Sequence, residues 1–207
     1  MVSIAPSMLG ADFGKMREAA EMVAPYSSHL HMDVMDGHFV PNLTMGVDLV
    51  RALNGIAPLD VHLMITDPIN FIDDFCEAGA DIISVHVEAN NTREALSRIN
   101  SKNIKSGIAF NPSTPKEKIL PYLDIADMIL IMSVEPGYCG QSFHENAISR
   151  VKYFKDNFPE KLIEVDGGVS TKNSAILSNN GADILVAGSA IFKSKNPIDT
   201  IELMKKS

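Results

Sequence analysis

The stretch His31-Met32-Asp33-Val34-Met35-Asp36-Gly37-His38 sets an imidazole and a carboxylate two residues apart in an otherwise apolar run. On a β-strand, side chains alternate between faces, so His31 and Asp33 point to the same side. Such a pair can share a divalent ion or pass a proton; it can equally be a buried histidine satisfied by its neighbour. Three further segments bear on that choice. Asp60-Val61-His62-Leu63-Met64 is a second apolar run with a histidine near its C-terminal end. Ile163-Glu164-Val165-Asp166-Gly167-Gly168 ends a third run on an aspartate and two glycines. Pro136-Gly137-Tyr138-Cys139-Gly140-Gln141 and Ala187-Gly188-Ser189-Ala190-Ile191-Phe192 are turns of small residues. Two histidines and two aspartates, each near a strand end, form a mixed nitrogen and oxygen set suited to one divalent ion.

The elements that must position these groups are visible as short β-branched or apolar runs: Val2–Pro6, His29–Val34, Leu59–Met64, Ile82–Val87, Lys105–Phe110, Met128–Met132, Leu162–Val165 and Ile184–Val186. Their starts recur roughly every 22 to 34 residues, the length of one strand-loop-helix-loop unit. Helix-period stretches lie between them. Phe13–Ala24 carries Met16, Ala19, Ala20 and Val23 on one stripe and is stopped by Pro25; Pro68–Ala78 has a stripe through Phe71, Ile72 and Phe75. Asn91 or Thr92 is expected to cap a helix over Arg93–Ile99, Thr114-Pro115 to open the next and Thr171 the one after. Gly79 and Gly181 sit where helix C-terminal caps are expected.

Regular β-α alternation without a break in composition implies a parallel sheet with helical crossovers. About eight units fit an α/β fold of one (β/α)8 barrel spanning 1–207 better than the alternative, an open doubly wound sheet. In a barrel, Ser7, His31, Asp33, His62, His86, Asn111, Ser133, Asp166 and Gly188 all fall at or near C-terminal strand ends, the rim where catalytic groups collect.

Composition narrows the function classes. The 207 residues, 45% hydrophobic, suffice for one buried core. No apolar run approaches ~18 residues, and no basic leader precedes an apolar block, so neither a membrane helix nor a secretory signal is expected and a cytoplasmic location is the default. Cys76 and Cys139 stand in unlike contexts, which argues against a disulfide; Cys76 reads as a small core residue of a helix. A net charge of −8 argues against nucleic acid and anionic membranes as partners. It also poses a question for any anionic substrate. The glycine turns, which contain no Lys or Arg, answer it if backbone N–H groups hold the anion. Taken singly, each glycine pair is an ordinary turn.

Ser7–Phe13 (SMLGADF), His31–Thr44 (HMDVMDGHFVPNLT), Asp60–Ile65 (DVHLMI), Ser133–Phe143 (SVEPGYCGQSF), Glu164–Val169 (EVDGGV) and Val186–Phe192 (VAGSAIF) together resemble ribulose-phosphate 3-epimerase, in order, from Ser3 to about Lys193. A close relative of that family, allulose-6-phosphate 3-epimerase, shares nearly all these blocks. The resemblance implies a barrel of the ribulose-phosphate binding type, a cytoplasmic isomerase of the pentose phosphate pathway, and a homo-oligomer. Carried over residue by residue, it makes His31, Asp33, His62 and Asp166 the ligands of one divalent ion per subunit. Zinc suits that set, as do iron, manganese and cobalt. It makes Asp33 and Asp166 the two acid/base carboxylates. Contacts to a sugar phosphate fall on Ser7, His62, Gly137, Tyr138, Cys139, Gly140, Asp166, Gly167, Gly168, Gly188 and Ser189. Cys139 departs from the family, which often has glycine there, and Glu135 stands where asparagine is frequent.

The implied reaction inverts carbon 3 of a 2-keto sugar phosphate. One group must remove the proton while another returns it on the opposite face, and a cation stabilises the enediolate between. Met35, Met64 and Met132 resemble the family's methionine cover, which would exclude water; ordinary core filling is the alternative. His38 and His86 read as packing or supporting groups rather than ligands. Two other functions remain in view. A phosphosugar decarboxylase or lyase resembles its own kind in an Asp-x-Lys-x-x-Asp run, where this chain has Met35 in place of the lysine. A non-catalytic phosphosugar-binding module would need the glycine loops but not two facing carboxylates.

Overall fold

The computed structural model describes residues 1–206. Eight parallel strands form one sheet: β1 (Ser3–Pro6), β2 (Leu30–Met35), β3 (Leu59–Met64), β4 (Ile82–His86), β5 (Lys105–Phe110), β6 (Met128–Met132), β7 (Leu162–Asp166) and β8 (Ile184–Ala187). Each lies beside its sequence neighbour, β1 also pairs β8, and a bridge between Ser7 and His31 brings β1 to β2, closing the ring. This is a (β/α)8 barrel. Every strand is bounded within one residue of the run that announces it in the sequence.

The helices are α1 (Met16–Val23), α2 (Val47–Leu53), α3 (Ile72–Glu77), α4 (Thr92–Ser101), α5 (Asn146–Asn157), α6 (Ser174–Asn179), α7 (Ser189–Phe192) and α8 (Pro197–Lys205). Pro25, which cannot donate a backbone hydrogen bond, ends α1, and the chain tightens into a 3₁₀ turn over Ala24–Tyr26. Gly79 and Gly181 follow α3 and α6 with φ of +99° and +106°, the left-handed stops expected there.

Two expectations about helix starts are corrected, and a third, Asn91 at the N-cap of α4, holds in position without a side-chain cap. Between β5 and β6 there is no α-helix but two 3₁₀ turns, Lys116–Lys118 and Leu120–Tyr122, because Pro121 removes a donor and disfavours helical geometry at Leu120. Asn91 precedes α4 with φ +52° and makes no side-chain cap, while the Thr92 hydroxyl donates to His86 O at 2.8 Å. Asn173 rather than Thr171 precedes α6, and its side chain ties Ser170 N and Gly168 O into the preceding turn.

Strand alternation divides the core. Leu30, Met32 and Val34 of β2, Leu59, Val61 and Leu63 of β3, and Ile163 and Val165 of β7 face the helices in one large apolar cluster. Ala5, Ile82, Met128, Ile184 and Val186 plug the lower barrel. The alternate positions of β2, β3 and β7 are therefore left to face inward: His31, Asp33 and Met35; Asp60, His62 and Met64; Glu164 and Asp166. Polar groups in the barrel interior are the part of this fold that packing does not explain.

Candidate metal and active site

The inward residues lie in layers set by strand register. His31 is level with Asp60, Asp33 with His62, and Met132 with Asp166. His31, Asp33 and His62 are buried, and the Asp166 side chain keeps 14% exposure towards the C-terminal mouth. Four donor atoms, one from each of these residues, lie within 4.8 Å of one another. His31 Nε2 and His62 Nδ1 each stand 3.6 Å from Asp33 Oδ1, and His62 Nδ1 is 3.9 Å from Asp166 Oδ2.

These residues fit a metal ion. His31 Nε2 and His62 Nδ1, both buried, have no hydrogen-bond partner, and they are the two nitrogens turned to the carboxylates. Neighbouring donors around a tetrahedral ion with bonds of about 2.0–2.2 Å sit only slightly closer than this. The opposite ring nitrogens are engaged. His31 Nδ1 donates to Asp60 Oδ2 at 2.5 Å, which leaves Nε2 as the atom able to ligate an ion. Glu164 lies behind this pair, 3.9 Å from His31 Nδ1. Burial first, then the charge of Asp60, pushes its carboxyl well above the ordinary range, and neither of its oxygens has a donor, so it stands there as a neutral acid.

The electrostatics favour positive charge at the centre. Burial opposes the charge of His31, but Asp60 and Asp33 overcome it and hold its pKa well above the usual value. Asp33 is likewise opposed by burial, yet the charge of His31 holds it far below the carboxylate range, and Ser7 Oγ donates to its Oδ2 at 2.6 Å. Asp166 goes the other way: burial and then the charge of Asp33 push it up to about 7. Two carboxylates whose environments drive them apart in this manner are suited to opposite proton-transfer roles.

The cavity above this cluster collects the remaining residues read from the sequence. Ser7, Asp33, Met35, Met64, Met132, Gly137, Tyr138, Cys139, Gly140, Asp166, Gly167, Gly168, Gly188 and Ser189 all line it. His31 and His62 are not among the lining residues; His31 stands against Asp33, and His62 against both Asp33 and Asp166. The loop after β6 is tied across the mouth: Asn42 Nδ2 donates to Gly137 O at 2.7 Å and Tyr138 OH to Pro41 O at 3.0 Å. Its left-handed residues are Gly137 and Gly140, so Cys139 occupies an ordinary backbone conformation. Gly168 is constrained from two sides, with φ +61° and a position where a Cβ would stand 2.7 Å from Phe143 N. Gly188 precedes α7, and Ser189 is its first residue. No Lys or Arg lines the cavity among the described residues; Lys193 borders a shallow depression just outside it.

His38 lies in the exposed β2 loop, where its ring bonds to Asp36 O at 2.9 Å, away from the cluster. His86 is buried against His62, with Nε2 to Nε2 at 2.8 Å. Burial brings His86 down to about 4, so its ring is neutral. Sequence reasoning missed Asp60, Glu164 and Glu88. The available signal was the same period of two that singles out His31 and Asp33: Asp60 and Glu164 precede His62 and Asp166 by two residues, and Glu88 follows His86 by two.

The expectation that all these groups sit at C-terminal strand ends is corrected for His31, the second residue of β2. A closed eight-stranded barrel whose interior, below its C-terminal mouth, gathers two histidines and two aspartates able to bind one metal ion is a (β/α)8-barrel enzyme. Solved structures share the fold at low identity. 3-Keto-L-gulonate-6-phosphate decarboxylase from Vibrio cholerae superposes with a TM-score of 0.76 at 14% identity, covering 99% of this chain and 96% of that one. 3-Hexulose-6-phosphate synthase from Salmonella typhimurium gives 0.75 at 15%, covering 99% and 97%. Sequence likeness goes further. The family model described as "Ribulose-phosphate 3 epimerase family" matches residues 3–192. The chloroplastic ribulose-5-phosphate-3-epimerase of Arabidopsis thaliana is 42% identical over 216 residues, covering 100% of this chain and 77% of its own length. The ribulose-phosphate 3-epimerase of Bacillus subtilis is 41% identical over 201 residues, covering 93% of each. The chain belongs to the ribulose-phosphate 3-epimerase family, and it is an epimerase. No helix among the described residues is long and apolar enough to cross a membrane.

Proposed function

We propose that this chain interconverts D-ribulose 5-phosphate and D-xylulose 5-phosphate by inverting carbon 3, with Asp33 and Asp166 as the two proton-transfer groups. The observation that carries this reading is the convergence of four donor atoms within 4.8 Å at the cavity floor, with Asp33 and Asp166 entering on strands separated by β1 and β8. A divalent ion held by His31, Asp33, His62 and Asp166 supplies positive charge where the ketone oxygen becomes an oxyanion. Zinc is our choice for that ion, with iron, manganese or cobalt suited to the same ligands.

In one direction, Asp33 takes the proton from carbon 3 and the electron pair moves into a carbon 2–carbon 3 double bond. Asp166 then gives a proton to the opposite face of carbon 3. The reverse reaction exchanges the roles. Ser7, donating to Asp33 Oδ2, orients the carboxylate for this work. Met35, Met64 and Met132 are almost wholly buried on the cavity wall and offer the intermediate no competing proton. The backbone N–H groups of the glycine turns and the first turn of α7 hold the phosphate, in keeping with a cavity free of cationic side chains.

The decarboxylase reading needs a cation on β2 where Met35 lines the cavity. The test is turnover of D-ribulose 5-phosphate and D-allulose 6-phosphate on one metal-replete sample, before and after chelation. Faster turnover of the pentulose, lost on chelation and restored by a divalent ion, is expected. Preference for the hexulose would reassign the sugar, and full activity without metal would remove the ion from the mechanism.

A further inference from the structure

His62 and His86 lie edge to edge in nearly one plane, their rings 17° apart and their Nε2 atoms 2.8 Å from each other. A contact between two ring nitrogens at that distance requires one hydrogen, carried by one of them. On the far side of His86, Nδ1 is 3.1 Å from Glu88 Oε2. The other Glu88 oxygen, Oε1, accepts from Asn111 N at 2.9 Å and from the Thr114 hydroxyl. A backbone N–H can only donate, so Oε1 is fixed as an acceptor, and in the carboxylate Oε2 is an acceptor as well.

Hydrogen placement then follows along the row. Glu88 Oε2 draws the His86 hydrogen to Nδ1, leaving His86 Nε2 bare. That bare nitrogen draws the His62 hydrogen to Nε2, leaving a lone pair on His62 Nδ1, the atom that faces Asp33 and Asp166. We propose that Glu88 and His86 are positioning residues which, through this row of hydrogen bonds, hold His62 in the one tautomer able to ligate a metal through Nδ1. The inference rests on the metal-site reading above, and extends to His62 the service that Asp60 performs directly for His31.

An isosteric change gives a sharp consequence. In Glu88→Gln, Asn111 N–H still demands an acceptor, so the amide oxygen stays on that side and the NH2 group turns to His86. His86 Nδ1 must then accept, its hydrogen moves to Nε2, and His62 is left with its hydrogen on Nδ1. Glu88→Ala imposes no tautomer, although it removes more of the support that Glu88 gives to Asn111 and Thr114. A purely structural Glu88 would make alanine the more harmful change; the hydrogen-bond row makes glutamine the more harmful to metal binding.

The experiment uses metal-free wild type, E88Q and E88A, with zinc as the only added ligand and no sugar. Zinc affinity is read by chelator competition, imidazole tautomers by ¹⁵N NMR, and folding by thermal unfolding. Expected is a loss of zinc affinity of about 10- to 100-fold in E88Q, a smaller loss in E88A, and a shift of the His62 hydrogen from Nε2 to Nδ1 in E88Q. Wild-type affinity in E88Q, weaker binding by E88A than by E88Q, or a His62 hydrogen that stays on Nε2 in E88Q would overturn the proposal. Should E88Q not fold, the wild-type spectrum decides: hydrogens on His62 Nε2 and His86 Nδ1 support the row, and the opposite tautomers overturn it. Failure of the underlying metal-site reading shows separately, as a wild type that binds no zinc.

Discussion

Replacing Asp166 with asparagine keeps the volume of the side chain while removing its ability to exchange a proton. Loss of one general acid/base group costs about 10²- to 10⁴-fold in rate, or about 2.7–5.5 kcal/mol of transition-state free energy. Epimerisation by metal-loaded Asp166→Asn is therefore expected to fall at least ~100-fold in both directions, and the same holds for Asp33→Asn. The isotope pattern is more specific than the rate. In deuterated water, Asp166→Asn retains Asp33 and should label carbon 3 of one epimer without inverting it, and Asp33→Asn should label the opposite epimer. Stability should move in the other direction. The Asp166 pKa is raised to about 7 in the folded protein by burial and by the charge of Asp33, so its stabilising share is lost as pH rises through that value. Metal-free Asp166→Asn should therefore gain in thermal midpoint over wild type at pH 8 relative to pH 5. Near-normal turnover by either variant, or labelling of both epimers by one variant, would refute two carboxylates acting from opposite faces.

Metal binding should release protons. At neutral pH His31 carries a proton, held there by Asp60 and Asp33 against the effect of burial, and Asp166 is half protonated at about pH 7. Ligation requires the proton to leave His31 Nε2, whereas Asp166 ligates through one oxygen and keeps on the other the proton that the reaction uses. Calorimetry in buffers of different ionisation enthalpy should show release of about one proton, with affinity rising as pH rises; pH-independent binding would contradict this charge assignment. Gly168→Ala should destabilise the fold by about 1–3 kcal/mol, and should raise KM for the sugar phosphate more than it lowers kcat. Its new Cβ would force Phe143 N away from Gly168 and part the loops after β6 and β7. Unchanged KM and unchanged competition by inorganic phosphate would remove this turn from phosphate binding.

The strands were legible because a barrel strand buries its outward face against helices, and that face is written in β-branched and aliphatic residues such as Val61 and Leu63 or Ile163 and Val165. The candidate ligands were legible as polar interruptions of those runs: Asp33, His62 and Asp166 fall in the C-terminal parts of β2, β3 and β7, and His31 lies deeper, at the second residue of β2. Asp60, Glu164 and Glu88 were not, because each is a single acidic residue whose meaning depends on which strand lies alongside. Only the register of His31 with Asp60 turns that carboxylate from a strand-start residue into the partner of a candidate ligand. Helix starts between elements were the least legible. Thr114-Pro115 has the composition of a helix opening, and it takes Pro121 further along to break the segment into 3₁₀ turns. Cys139 shows the converse: a non-glycine residue fits this glycine-rich turn because Gly137 and Gly140 take the left-handed conformations.

The most direct test is a crystal structure of the zinc-loaded protein with data collected on either side of the zinc absorption edge. A single anomalous peak about 2.0–2.2 Å from each of four atoms is expected: His31 Nε2, Asp33 Oδ1, His62 Nδ1 and Asp166 Oδ2. An ion held elsewhere, or bound through His31 Nδ1 or His62 Nε2, would contradict the site described above.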